Sequence, residues 1–318
     1  NIGRLMTHLA ELPSSVPGAT INRLCGSSMQ AIMIAASNIN SGWGDCFVCG
    51  GIESMSRVKR RGFNWSQHPG LTESYPHAYI NMGETAENVA QEFNISRSEQ
   101  EEFALVSHQR ASKAISSGNF DDEIVAIELD NGSFVSNDGC VRPGTSIDSM
   151  SKLPPAFSAN GSVTAATSSP LTDGSAFSLV CSKEFASDNN LSPIAEIVSV
   201  AVTGCPPEMM GMGPVSATKL ALSRAGWKSS EIEIFELNEA FSSQSIACIR
   251  ELGLDPGIVN IDGGAISIGH PLGASGARIT CKAGSIMRRE GANRAIAAMC
   301  IGGGMGIAVA LQSPGESS

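Results

Sequence analysis

ATINRLCGSSMQAIMIAASNINSGWGDCFVCGG, residues 19–51, decides the fold class. Residues 19–24 predict a short strand. Residues 26–40 have helical spacing, with Met29, Ile32, Met33 and Ala36 on one face. Residues 45–50 predict a buried strand that runs into Gly50-Gly51. Strand, helix and strand in that order imply an α/β fold with a parallel sheet.

Working outward, residues 2–12 predict a helix ended by Pro13 and Pro17. Residues 56–82 are irregular, and 84–118 carry a long helical stretch in which Ser96 with Gln100 and Ser98 with Glu101 are the candidate helix-start pairs, the second with the spacing of a capping box. Residues 130–170 are loop-like, so 56–169 reads as an insertion into the first α/β half. The alternation then resumes, with strands over 175–182 and 193–204 and a helix over 214–226 closed by Gly226. A strand at 232–237, a helix at 240–252 and a closing strand pair at 295–300 and 306–311 follow. ATINRL before Cys25 echoes IEIFEL before Asn238, and CFVCGG (46–51) echoes the AMCIGGG stretch that ends at Gly304. A duplicated α/β unit accounts for both echoes.

The chain has 318 residues, 42% hydrophobic and 16% charged, enough to bury a large core. Its net charge of -10 argues against a general nucleic-acid binder. The nine cysteines lack framework spacing and read as reduced thiols of a cytoplasm-like compartment, or an organelle matrix in a eukaryote. No apolar run is long enough for a membrane span, and no signal peptide is visible. Asn1 lies inside a predicted helix without a methionine before it, so a longer N-terminus is expected.

Cys25 sits where a strand gives way to a helix. Free N–H groups and the positive dipole end there favour a thiolate nucleophile. The plain alternative is a buried turn cysteine. His270 stands among glycines in GGAISIGHPLG (263–273) and suits a general base for a cysteine, or a turn histidine bonded to backbone. Cys300 ends a strand against Gly302, Gly303, Gly304 and Gly306, where a thiol could move a proton and N–H groups could hold an oxyanion. The run lacks dinucleotide spacing. Asn238 opens NEAF (238–241) at a strand-to-helix junction, as a helix cap or as an amide that orients a water or a thioester oxygen. Cys46 and Cys49 have no partner pair at metal spacing and read as core. His8 and His108 read as surface residues. Arg57, Lys59, Arg60 and Arg61 form the densest basic run, either a solvated loop or a contact to nucleotide phosphates.

In combination and order, NRLCGSSMQA, NEAF, GGAISIGHPLGASGAR and CIGGGMG resemble the thiolase family along essentially the whole chain. MGETAENVA, VRPGTSIDSMSKLPPAF and TAATSSPLTDG fit as well. The resemblance implies a five-layered α-β-α-β-α fold of two similar halves, 1–55 with 170–187 and 188–318, and an inserted loop domain at 56–169. It implies Cys25 as acyl carrier and Cys300 as acid/base. His270 would activate Cys25 and share an oxyanion hole with a water on Asn238, and the N–H groups of Cys25 and Gly302 would form a second. Coenzyme A or acyl-CoA would enter as substrate, with no permanently bound cofactor and no metal, along Met82, Arg142, Ser149, Phe157, Ser169, Ala240 and Phe241. The reaction implied is CoA-dependent cleavage of 3-ketoacyl-CoA, or the reverse condensation, in a homodimer or homotetramer. The alternatives are a biosynthetic acetoacetyl-CoA thiolase, a condensing synthase of the same fold, and a non-catalytic acyl-CoA- or lipid-binding relative.

Two departures stand out. The resemblance begins at the family's second helix, so a leading strand–helix–strand is missing and exposed edges and apolar faces are expected. Asn81 replaces a histidine of the short-chain members, and Thr167 replaces an asparagine of the usual TAGNAS. Both lean towards the degradative 3-ketoacyl-CoA enzymes.

Overall fold

The structure, a computed structural model, describes residues 1–58, 62 and 64–315. Its order is α1 (Ile2–Leu9), α2 (Ser27–Asn40), β1 (Cys46–Ser54), α3 (Met82–Glu92), α4 (Arg97–Ser116), β2 (Asp173–Cys181), β3 (Glu196–Gly204), α5 (Gly213–Ala225), β4 (Ile234–Leu237), α6 (Ser242–Leu252), α7 (Ala265–Ile268), α8 (Leu272–Glu290), β5 (Arg294–Ile301) and β6 (Met305–Gln312). Shorter pieces lie between β1 and α3 and between α4 and β2.

β3, β6, β5 and β4 form one sheet in that order, and β1 and β2 form a separate ladder. α5 lies across one face of the four-stranded sheet. α8 and α2 lie on its other face, and the same two helices carry β1 and β2 on their far side. The sequence of layers is helix, sheet, helix pair, ladder, which are four of the five expected layers. The ladder's outward face is uncovered by the described residues: Val48 is 68% exposed, and Ile52, Phe177 and Leu179 beside it are about half exposed. The apolar face expected from the departure in sequence is therefore present.

β5 and β6 are apolar on both faces because helices cover the sheet from both sides. Phe235, Leu237, Ile296 and Ala308 pack with α5 and α6 residues on one side. Met299, Ile301, Ile307 and Val309 pack with Met29, Ile279 and Ile286 on the other. α5 ends on Gly226 in the left-handed region at φ +71, as its position predicts.

Several expectations are corrected. Residues 19–24 are not a strand; only an isolated bridge joins Arg23 and Cys25. Local side chains take the amides that a ladder would use: Arg23 donates to Ser27 Oγ at 2.9 Å and Leu24 to Asn22 Oδ1 at 2.7 Å. Without that strand β1 takes β2 as an antiparallel neighbour, and among the named strands only β4 and β5 run parallel. The first echo fails too. α2 pairs with α8 in the central layer, so the counterpart of Cys25 is the turn before α8 and not Asn238. The second echo has a structural match, since β1 and β5 each lead to an antiparallel partner on either side of the helix pair.

The capping box of α4 is made by Ser96 with Glu99 and not by Ser98 with Glu101. His108 is buried, not on the surface, because α4 is packed against α6 and α7. Its Nδ1 accepts the Arg142 N–H at 3.2 Å. Cys49 is core, but Cys46 points to the uncovered face of the ladder, opposite Cys181. Lys59, Arg60 and Arg61 of the basic run lie outside the described residues, and Arg57 is exposed.

The contact that positions everything downstream is the crossing of α2 and α8 near their N-termini. A Cβ on Gly276 would lie 2.5 Å from the Met29 amide nitrogen, and one on Gly51 would overlap the Gly273 carbonyl. The Ala277 N–H donates to Ser28 Oγ at 2.8 Å across the same seam. We expect Gly276→Ala to destabilise the protein by about 1–3 kcal/mol through overpacking, read as a lowered midpoint in urea unfolding at unchanged slope.

Candidate active site

Cys25 immediately precedes the Gly26 cap of α2, and His270 lies two residues before α8. The two helices start side by side, a Cβ on Gly273 lying 3.9 Å from Ser27 Cβ, so both residues stand at the same end of the helix pair, at the positive ends of two helix dipoles. Leu24 carries the turn into α2 with φ +48, a conformation that costs a branched side chain energy and aims the next residue sharply. Gly26 is needed there. A Cβ on it would lie 2.6 Å from Ile301 Cδ1, so a larger residue would have to displace the buried Ile301 side chain.

β5 delivers the second thiol. Cys300 is 2% exposed, and burial, then the neighbouring Cys25, then Cys248 push its pKa well above the ordinary thiol value. It packs with Ala86, Val163, Met210, Ala240 and Phe241, with Met82 alongside. Two residues on, a Cβ on Gly302 would lie 3.3 Å from Met82 Sδ and 3.4 Å from Leu24 Cδ1. The Gly302 backbone therefore adjoins the Cys25 turn.

β4 ends at Asn238, whose N–H donates to the Ala298 carbonyl at 3.0 Å. Its Nδ2 is 3.4 Å from His270 Nε2. Its Oδ1 is buried and meets no donor among the described residues, which suits a site completed by water or ligand. His270 is fixed from two sides. Its N–H donates to Thr172 Oγ1 at 3.0 Å, and its Nδ1 lies 2.6 Å from Ser275 Oγ. With the Asn238 amide donating to Nε2, Nδ1 carries the proton and Nε2 is the basic nitrogen. Burial, then the positive charge of Arg278, push the His270 pKa down to about 3, so the ring is neutral.

The other residues expected in the site divide into two groups. Phe157 and Phe241 meet edge to face with ring centroids 5.9 Å apart, and Phe157 lies over Gly83, next to Met82. The Ser169 N–H donates to the Ala240 carbonyl at 3.0 Å. Met82, Phe157, Ser169, Ala240 and Phe241 thus form one wall beside Cys300. Arg142 and Ser149 are engaged elsewhere. Arg142 binds His108 through its backbone, and Ser149 closes a capping box with Ser146 at the start of the short helix Ile147–Ser151.

Thr172 and Ser275 were not singled out in sequence. Thr172 is 98 positions from His270, so no local pattern points to it. Ser275 stands in the same glycine-rich motif, where its small size reads as packing. Among the described residues no cluster of three or more His, Cys, Asp and Glu could hold a metal ion, and no helix is long and apolar enough to cross a membrane.

The depressed His270 pKa has a sign that can be tested. In the unfolded chain the ring protonates near its ordinary value of 6.5, whereas the folded state resists protonation down to about 3. Its contribution to stability is therefore whole above pH 6.5 and is lost as pH falls towards 3. We expect His270→Gln to flatten that acid loss, seen as a smaller difference in unfolding free energy between pH 7 and pH 4 than in the parent protein.

Residues 1–184 match the family description "Thiolase, N-terminal domain", and residues 191–313 match "Thiolase, C-terminal domain". A 3-ketoacyl-CoA thiolase of Bacillus subtilis (strain 168) is 44% identical over 97% of this chain and 82% of the relative. One from Aliivibrio fischeri is 46% identical over 99% of this chain and 83% of the relative. The crystal structure of human mitochondrial 3-ketoacyl-CoA thiolase in complex with CoA superposes with a TM-score of 0.89. It is 39% identical and covers 98% of this chain and 81% of the human one.

Proposed function

The chain belongs to the thiolase family, and from that premise we propose that it is a CoA-dependent acyltransferase acting on 3-ketoacyl-CoA. It cleaves this substrate to acetyl-CoA and a shortened acyl-CoA, or runs the reverse Claisen condensation. The observation that carries the proposal is the convergence of the Cys25 turn, neutral His270 and buried Cys300 beside Asn238.

His270 Nε2 takes the Cys25 proton, and the thiolate, at a helix N-terminus, attacks the 3-keto carbon. The carbon–carbon bond breaks and leaves acyl-Cys25 with the enolate of acetyl-CoA. Cys300, whose buried site keeps it protonated, gives its proton to the enolate carbon. The Cys300 thiolate then takes the proton of a second CoA thiol as its sulfur attacks acyl-Cys25, and Cys25 leaves as a thiolate beside the His270 imidazolium. The N–H groups of Cys25 and Gly302 hold one developing oxyanion, and His270 with a water on Asn238 holds the other. The wall of Met82, Phe157, Ser169, Ala240 and Phe241 takes the pantetheine arm, and Arg142 and Ser149 lie further along the CoA.

We read residues 1–55 with 170–187 and 188–318 as the two halves, and 56–169 as the inserted CoA-binding domain. The pairing of β1 with β2 across that insertion, from Cys46 opposite Cys181 to Ser54 opposite Asp173, supports the division. A homodimer or homotetramer working in a cytoplasmic or matrix compartment fits this reading.

The full-length protein, given acetoacetyl-CoA or longer 3-ketoacyl-CoAs with CoA, should consume the 3-ketoacyl thioester and acylate Cys25, seen by mass spectrometry. Cys25→Ser should lower turnover by at least about 10³-fold. Cys300→Ser should still acylate Cys25 from acyl-CoA yet fail to exchange the acetyl-CoA methyl protons with solvent. A protein that neither turns over any chain length nor acylates Cys25 would rule the enzyme out.

A further inference from the structure

Glu239 follows Asn238 directly, yet all its bonds go to other parts of the chain. The side chain is buried, and three donors reach its two oxygens. Oε1 accepts from Asn260 Nδ2 at 2.8 Å. Oε2 accepts from Ser107 Oγ at 2.7 Å and from the Ile266 N–H at 3.2 Å. Gly264 lies so close that a Cβ on it would overlap the carboxyl carbon.

Each donor belongs to a segment that the site depends on. Ile266 is in α7, which runs through Gly269 straight into His270. Ser107 is on α4, within the insertion, and its Oγ also accepts the Gly264 N–H at 3.2 Å and lies 2.9 Å from Ser267 Oγ. Asn260 braces the end of β4. Its Oδ1 accepts the Leu237 N–H and its Nδ2 donates to the Leu237 carbonyl, both at 2.8 Å, one residue before Asn238. One carboxylate therefore ties the Asn238 junction, the His270 loop and the insertion to a single point.

The polarity of this knot is fixed. The Leu237 bonds set the orientation of the Asn260 amide, so Nδ2 must find an acceptor at Oε1. The Ile266 backbone N–H can only donate, so Oε2 must accept as well. A carboxylate satisfies both. A glutamine would set an NH2 group against one donor or the other, leaving buried polar groups opposed. Asn238 Nδ2 and His270 Nε2 are 3.4 Å apart, at the long end of a hydrogen bond, so a small drift of either segment separates them.

We infer that Glu239 is a positioning residue that sets Asn238 and His270 in register with each other and with the insertion. This rests on the proposed thiolase reaction. The test is Glu239→Gln in the full chain, with Ser107→Ala as a milder variant that keeps the carboxylate, and Asn238→Ala for a double-mutant cycle. In thiolysis of a 3-ketoacyl-CoA, Glu239→Gln should lower kcat about 10- to 100-fold with the KM for CoA within about twofold, the size expected when catalytic groups are misplaced by about 1 Å. Ser107→Ala should lower kcat by a smaller factor in the same direction. The Glu239→Gln and Asn238→Ala losses should be less than additive, because one acts through the other. A kcat within twofold of the parent in both variants, a loss confined to KM, or fully additive losses overturns the inference. If Glu239→Gln does not fold, the Ser107→Ala kcat decides. If the parent itself shows no turnover, the reaction assignment fails, and crystal structures of the parent and variants still judge the positioning. An unchanged Asn238–His270 separation in both variants refutes it, and a widened one upholds it.

Discussion

The site exists because two helices can start in contact. α2 and α8 cross where Gly276 meets the Met29 amide, and β1 closes on the start of α8 where Gly51 meets the Gly273 carbonyl, approaches that side chains at these positions would forbid. The close seam has two effects. It builds the central layer on which both sheets pack, and it sets the turns that carry Cys25 and His270 at the same end of the helix pair. Backbone proximity thus does first what charge and hydrogen bonding later refine. The strands serve the site from the side, since Asn238 directly follows β4 and Cys300 is the penultimate residue of β5.

Desolvation divides the proton-handling roles. His270 and Cys300 are both buried, but burial acts oppositely on a base and on an acid. It lowers the imidazole's affinity for a proton and raises the thiol's. At rest one group is therefore unprotonated and the other protonated. Thr172 holds the His270 backbone, and the Asn238 amide at Nε2 with Ser275 at Nδ1 then fixes which ring nitrogen is left without a proton.

What the sequence revealed, and what it hid, follows the range of the interactions. α2, α5 and the β5–β6 pair are legible because their apolar spacing and closing glycines are local. Cys25, Asn238, His270 and Cys300 are legible as a set because each stands at an element boundary with a chemically apt side chain. Residues 19–24 are misread because ATINRL has strand-like composition, while its amides are claimed by Asn22 and Ser27. His108 is misread because α4 looks polar all round. It buries Gln100, Glu101, Ser107 and His108 against other elements, and those partners lie far away in sequence. The same holds for Glu239, whose role is set by Ser107 and Asn260, 132 and 21 positions away.

The opposed pKa shifts of His270 and Cys300 also shape how the protein meets its surroundings. Neither group changes charge across the range in which a cell's interior acidifies or recovers. These two groups therefore present the same local field whether the compartment is starved, respiring or stressed.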